Sequence, residues 1–132
     1  MTANILDGAA LAKSIRIELA REVEEWCSSG KKRPGLAVVL VGEDPASQVY
    51  VNGKERDCVE VGFHSVVENI PYDVSQKELE EVVIGFNHNP EIDGLLVQTP
   101  LPEHIDEDRI VDLIDPKKDV DGFHPYNMGR LA

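Results

Sequence analysis

The chain has 132 residues, 42% of them hydrophobic and 29% charged, which fits one globular domain with a real core rather than a disordered chain or two domains. The formal charge of −12, from 25 acids against 13 bases, opposes non-specific binding to nucleic acid or to an anionic membrane face, while leaving room for an anionic small molecule held by a local lysine. Two cysteines, Cys27 and Cys58, make no disulfide framework and point to a reducing compartment. The start MTANILDGAA has no basic, apolar leader pattern, and no run approaches the ~20 apolar residues of a membrane span.

The stretch ALAKSIRIELAREVEEWCSSG predicts an amphipathic helix, with Leu11, Ile15, Leu19, Val23 and Trp26 forming one apolar stripe and Gly30 capping its end. Leu36 to Val41 is continuous, apolar and β-branched, the pattern of a strand buried on both faces. Asp44 and Pro45 then open a helix as N-cap and first residue, and Gly62 stops it after Val61. FHSVVENIP is a short second strand. SQKELEEVVIGFN starts on a capping box, Ser75 with Glu78, and buries Leu79, Val82, Val83 and Phe86. IDGLLVQ is a third buried strand, a helix follows from about Asp106 to Ile114, and the tail DPKKDVDGFHPYNMGRLA is expected to be irregular, broken by Gly122, Pro125 and Gly129.

Alternating helices and strands imply parallel strands with right-handed crossovers: a three-layer α/β/α sandwich around a small parallel sheet, one domain over 1–132. Ligands in such folds sit at the carboxyl ends of the strands. Tyr50 and Lys54 lie one and two turns into the helix that leaves the first strand, Gln98 at the end of the third strand, and Asp121 in the loop after the last helix. All of these points can converge on one rim.

Tyr50 and Lys54 are four residues apart, so they share a helix face. A lysine beside a phenol, partly desolvated against a sheet, is expected to lose some preference for its charged form and to serve as a general acid or base near neutral pH. Gln98 offers a carbonyl to the ammonium and an amide to a ligand. Asp121 offers a carboxylate to two adjacent N–H groups of a heterocycle. Taken singly, each has a plain structural explanation: a snorkelling lysine, a core-edge aromatic, a residue ending a strand, an Asp-Gly turn. Other chemistries lack their residues. His64, His88, His104 and His124 show no metal-ligand spacing with the cysteines, so no metal is expected. Walker-A and G-x-G-x-x-G motifs are absent. Ser47 follows a strand, but VGEDPAS is not a nucleophile elbow, which leaves it helix capping or ligand contact.

Three blocks bind these signals together. PGLAVVLVGEDPASQVYVNGKERDCVEVGF, DGLLVQTPLPEHID and PKKDVDGFHPYNMGRLA resemble, in order, the bifunctional methylenetetrahydrofolate dehydrogenase/methenyltetrahydrofolate cyclohydrolase family, from about Ile5 to Ala132. The resemblance implies the folate-binding catalytic domain of an enzyme of one-carbon tetrahydrofolate metabolism. That enzyme oxidises 5,10-methylenetetrahydrofolate with NADP and hydrolyses the methenyl product to 10-formyltetrahydrofolate. The family's Y-x-x-x-K pair falls on Tyr50 and Lys54, its V-Q-x-P-L-P glutamine on Gln98, and its pterin-holding aspartate on Asp121. Lys54 is then the central catalytic residue, tuned by Tyr50 and Gln98. The substrate is expected to touch Ser47, Val97, Gln98, Thr99, Pro100, Leu101 and Asp121 as well as the Tyr50–Lys54 pair. Many relatives carry an apolar residue where this chain has Thr99. The resemblance also implies a cytoplasmic homodimer and a further Rossmann-type domain that binds NADP, for which these residues supply no pyrophosphate turn. Two alternatives stay open: a folate-binding or dimerisation module without turnover, and an unrelated flavodoxin-like signalling domain. The second alternative lacks a second strand-end acid to pair with Asp44.

Overall fold

The structure, a computed structural model, describes residues 3–132. In chain order the elements are α1 (Gly8–Ser28), β1 (Gly35–Val41), α2 (Pro45–Val61), β2 (His64–Ile70), α3 (Gln76–His88), β3 (Gly94–Val97), α4 (Glu107–Leu113) and α5 (Pro125–Leu131). The sheet order is β2-β1-β3, and both pairings are parallel. β1 is central, so it must be apolar on both faces, and the period-2 pleat divides its side chains. Ala37, Val39 and Val41 pack with Leu79 and Val83 of α3 and Ile110 of α4. Val38 and Leu40 pack with Val51 of α2 and Leu96 of β3 on the other face. The expected three-layer sandwich is what forms.

The caps act as the sequence predicts. Asp44 accepts the Ser47 N–H at 2.8 Å, Gly62 ends α2 in the left-handed conformation at φ 82°, and Ser75 with Glu78 makes a full capping box. Asp106 caps α4, and Ile114 closes it.

Two expectations are corrected. The α1 stripe is not a buried seam. Of its members only Val23 is buried, while Leu11 and Ile15 are 61% and 52% exposed. The helix is instead rotated so that Ala12, Arg16, Leu19, Ala20, Val23 and Cys27 turn inward. The Arg16 Nε–Glu60 Oε2 ion pair, 2.9 Å long, joins α1 to α2 in that setting, and the alanines permit close approach. The tail is not irregular throughout either. Pro125 begins α5 rather than breaking it, because its missing N–H falls where no helical partner is needed. The His124 ring caps this helix by accepting the Tyr126 N–H at 3.1 Å.

Candidate active site

The rim of the sheet is built from three sequence-distant pieces. Gly42, in the left-handed region at φ 82°, turns the chain out of β1, and the capped start of α2 follows at once. Lys54 therefore lies on the helix that covers the Val38–Leu40 face. Gln98 continues the β3 ladder by donating its N–H to Val39 O at 2.9 Å. The pleat puts Leu96 and Gln98 on the same face as Val38, which is the α2 face. The two side chains meet there: Lys54 Nζ donates to Gln98 Oε1 at 2.9 Å, with both residues partly buried. The Gln98 amide is oriented by its own donation to Thr99 O at 3.0 Å, which leaves its carbonyl facing the ammonium. Tyr50 sits one turn before Lys54, 65% exposed, with its ring free to meet a ligand.

Asp121 arrives from the loop after α4. This loop is tied to the body at several points. Leu95 N donates to Lys118 O at 2.7 Å, and Asp119 pairs with Leu95 as an isolated parallel bridge. The Lys118 ammonium donates to Phe86 O and Asn89 O at the end of α3, where the carbonyls want a cation. Gly94 is required beneath it, since a Cβ there would lie 2.6 Å from Val120 Cγ1. Asp121 is exposed as a residue, yet crowding by its neighbours displaces enough water to push its carboxyl above the ordinary 3.8. The Lys54 charge opposes that shift and the Asp119 charge adds to it.

The other expected contacts divide. Val97, Thr99 and Leu101 line one narrow crevice with Asp121, about 20 Å³ in volume, although Val97 is itself a core residue. Pro100 is exposed beside them, following a cis bond from Thr99. Ser47 is only 4% exposed, and its N–H is bonded to Asp44. It belongs to the start of α2, and the capping explanation fits it better than ligand contact. Sequence reasoning passed over Asp119, which holds the Asp121 loop; its i, i+3 spacing to Gly122 was the available signal. An open concavity of about 740 Å³, lined by residues that include Gly42, Glu43, Gln48, Asn69 and Tyr72, contains none of the expected residues and no lysine.

Among the described residues, no group of three or more His, Cys, Asp and Glu is arranged to hold a metal ion, and no helix is long and apolar enough to cross a membrane. A dinucleotide does not fit the turn after β1. The N-terminus of α2 is already occupied by the Asp44 carboxylate, which the Ser47 N–H and hydroxyl hold below the ordinary carboxylate range, and a pyrophosphate would meet like charge there.

Fold and rim together define an α/β domain whose strand ends present a lysine–amide pair beside a loop carboxylate. Comparison with known proteins makes this specific. A family model described as tetrahydrofolate dehydrogenase/cyclohydrolase, catalytic domain, matches residues 6–121. The chain belongs to that family. It is 56% identical over 127 residues to the bifunctional protein FolD of a Nitratiruptor species, covering 96% of this chain and 45% of the relative. It is 54% identical over 132 residues to FolD 1 of Hydrogenovibrio crunogenus, covering all of this chain and 46% of that one. Among solved structures, the bifunctional enzyme FolD from Campylobacter jejuni superposes with a TM-score of 0.94 at 44% identity, over 97% of this chain and 45% of that chain. The Trypanosoma brucei methylenetetrahydrofolate dehydrogenase-cyclohydrolase, complexed with NADP cofactor and inhibitor, gives 0.94 at 37% identity, over 99% and 45%. The chain thus spans a little under half the length of the relatives it matches.

Proposed function

We propose that this chain is the folate-binding, catalytic domain of a bifunctional enzyme. That enzyme oxidises 5,10-methylenetetrahydrofolate to the methenyl form with NADP and hydrolyses the methenyl form to 10-formyltetrahydrofolate. The observation that carries the reading is the 2.9 Å Lys54–Gln98 bond at the strand ends, within a chain of this family. In the hydrolysis, water adds to the cationic methenyl carbon. Lys54 takes a proton from the added water and returns it to the ring nitrogen as the C–N bond opens, while the remaining hydroxyl proton leaves to solvent as the formyl C=O forms and discharges the cation. Gln98 holds the Lys54 nitrogen in place through both transfers, and the exposed Tyr50 ring covers the ligand. Asp121 grips the adjacent N–H groups of the pterin, and Thr99, Pro100 and Leu101 line the ligand's edge.

The hydride acceptor, NADP, is bound outside these residues in this reading, by a separate dinucleotide domain, so no step of the oxidation is assigned to this chain beyond holding and orienting the folate. The remaining parts of the proposal are a cytoplasmic homodimer with a small-molecule substrate and no nucleic-acid partner, in keeping with the charge of −12.

A cyclohydrolase assay tests the reading. Loss of 5,10-methenyltetrahydrofolate absorbance is followed above the buffer rate, with Lys54→Met alongside. Turnover that disappears in the variant supports the site. Turnover that survives Lys54→Met removes Lys54 from the chemistry. Folate binding without turnover in either protein favours a binding module.

A further inference from the structure

The Asp119 carboxylate has no part in the chemistry above, yet it accepts more hydrogen bonds than any group at the rim. Its Oδ1 accepts the Gly122 N–H at 3.0 Å. Its Oδ2 accepts the His124 N–H and the Asn127 Nδ2, each at 2.9 Å. Burial alone would raise this carboxyl, but these donors and the Phe123 N–H outweigh it and hold it below the ordinary range, so it is ionised. Its backbone is fixed as well, through the bridge to Leu95 and the packing of Val120 over Gly94. Asn127 in turn ties to Pro116 O at 2.9 Å. Between Asp119 and Gly122 the chain makes one tight turn, closed at its far end by Gly122 in the left-handed region at φ 72°. Asp121 stands on this turn, so its position is inherited from the bonds that Asp119 makes.

The geometry assigns to Asp119 the role of positioning residue: its carboxylate closes the 119–124 turn and so fixes Asp121 at the mouth of the crevice lined by Thr99 and Leu101. This assignment rests on the reading of Asp121 as the pterin-binding carboxylate. Asparagine at 119 is nearly isosteric but cannot serve. One oxygen would still accept from Gly122, while the new NH₂ would face two donors, His124 N–H and Asn127 Nδ2.

The test is a double-mutant cycle on affinity for 5-formyltetrahydrofolate, a stable reduced folate, measured by calorimetry in the protein carrying this chain. Asp119→Asn is expected to weaken binding about 10-fold in the wild-type background and less than about 2-fold on top of Asp121→Asn, because a residue acting through Asp121 has nothing left to position. A purely structural role lowers melting temperature and gives losses that multiply. Losses that multiply, or an Asp119→Asn affinity equal to wild type, overturn the assignment. Should Asp119→Asn not fold, Asn127→Ala removes one donor and leaves the carboxylate; it is expected to cost about 3-fold with the same lack of additivity. Full sensitivity to Asp121→Asn with none to these variants removes the positioning role alone. Insensitivity to Asp121→Asn, or no folate binding by the unmodified protein, removes the folate reading of Asp121 and the assignment with it.

Discussion

Lys54 and Gln98, 44 residues apart in sequence, meet through a 2.9 Å hydrogen bond that joins α2 to the end of β3. The bond holds the lysine nitrogen in one place through a neutral acceptor. A carboxylate at 98 would instead favour the ammonium and slow its release of a proton. Lys54→Met is therefore expected to reduce cyclohydrolase rate by about 100-fold or more, the scale of a general acid–base group. Gln98→Met, which removes the acceptor and keeps the bulk, should cost about 10-fold, the worth of one hydrogen bond to a charged group. Steady-state rates at saturating substrate check both, with unchanged circular dichroism as the folding control.

Asp121 carries opposite signs for binding and for stability. Its carboxyl titrates above 3.8, and only the ionised form accepts two N–H bonds, so folate affinity should rise with pH through a midpoint above 3.8. Folding goes the other way. The folded state holds the proton more tightly than the unfolded chain, so a small penalty develops as pH rises past 3.8 and is complete above the raised value. Asp121→Asn should bind folate roughly 10–100-fold more weakly, yet melt slightly higher than wild type at neutral pH. Calorimetric titration and thermal melts at matched pH read the two effects separately.

Gly94 and Gly35 are both sites where a Cβ does not fit, for different reasons. At Gly35 an added Cβ would lie 1.9 Å from Glu91 O, a backbone atom with no room to yield. At Gly94 it would press on the Val120 and Leu36 side chains. Each alanine substitution should cost about 1–3 kcal/mol, a melting shift of roughly 5–10 °C. Only Gly94→Ala should also weaken folate binding, because Val120 adjoins Asp121. Equal affinities in the two variants would separate the glycine from the site.

Acid stability depends on Asp93 and Asp119. Burial raises the Asp93 carboxyl, but the Lys32 ammonium at 2.6 Å, together with the Gly35 N–H, outweighs this and lowers it; Asp119 is lowered by its own donors. A carboxyl lowered on folding stabilises fully above its unfolded value of 3.8, and that stability is lost as pH falls through the depressed native value. Urea midpoints should therefore be level from pH 7 to about 5 and fall below about 4, with a shallower fall in Asp93→Asn.

The strands, the α2 and α3 caps and the layer order were legible because each rests on local chemistry: β-branched runs, Asp-Pro and Ser-x-x-Glu starts, a glycine stop. The rim was legible in outline because pleat parity and parallel topology decide which side of the sheet Gln98 faces. The rotation of α1 was not, since a hydrophobic stripe states which residues would be content to be buried and not whether anything covers them. There the face that packs on α2 carries Ala12, Arg16 and Ala20, and Leu11 and Ile15 are left exposed. The helix at Pro125 escapes a reading of Pro and Gly as breakers alone, and the histidine cap that starts it is a tertiary arrangement tied to Asp119. Asp119 itself was hidden behind its neighbour: the Asp-x-x-Gly spacing signals a turn, but the further bonds from the His124 N–H and the Asn127 amide are set by how the tail folds back.

The strand order also sets a timetable. β1 is made first and lies in the middle, so both of its hydrogen-bonding edges wait for strands that are synthesised later. A nascent chain that ends after α2 holds an apolar ribbon with neither neighbour, the kind of exposed edge that invites wrong pairing until β2 and then β3 arrive. The rim is completed still later, when the segment around Asp121 docks beside β3. Protection of the nascent chain from proteolysis by folate should therefore appear only at lengths that include the segment around Asp121.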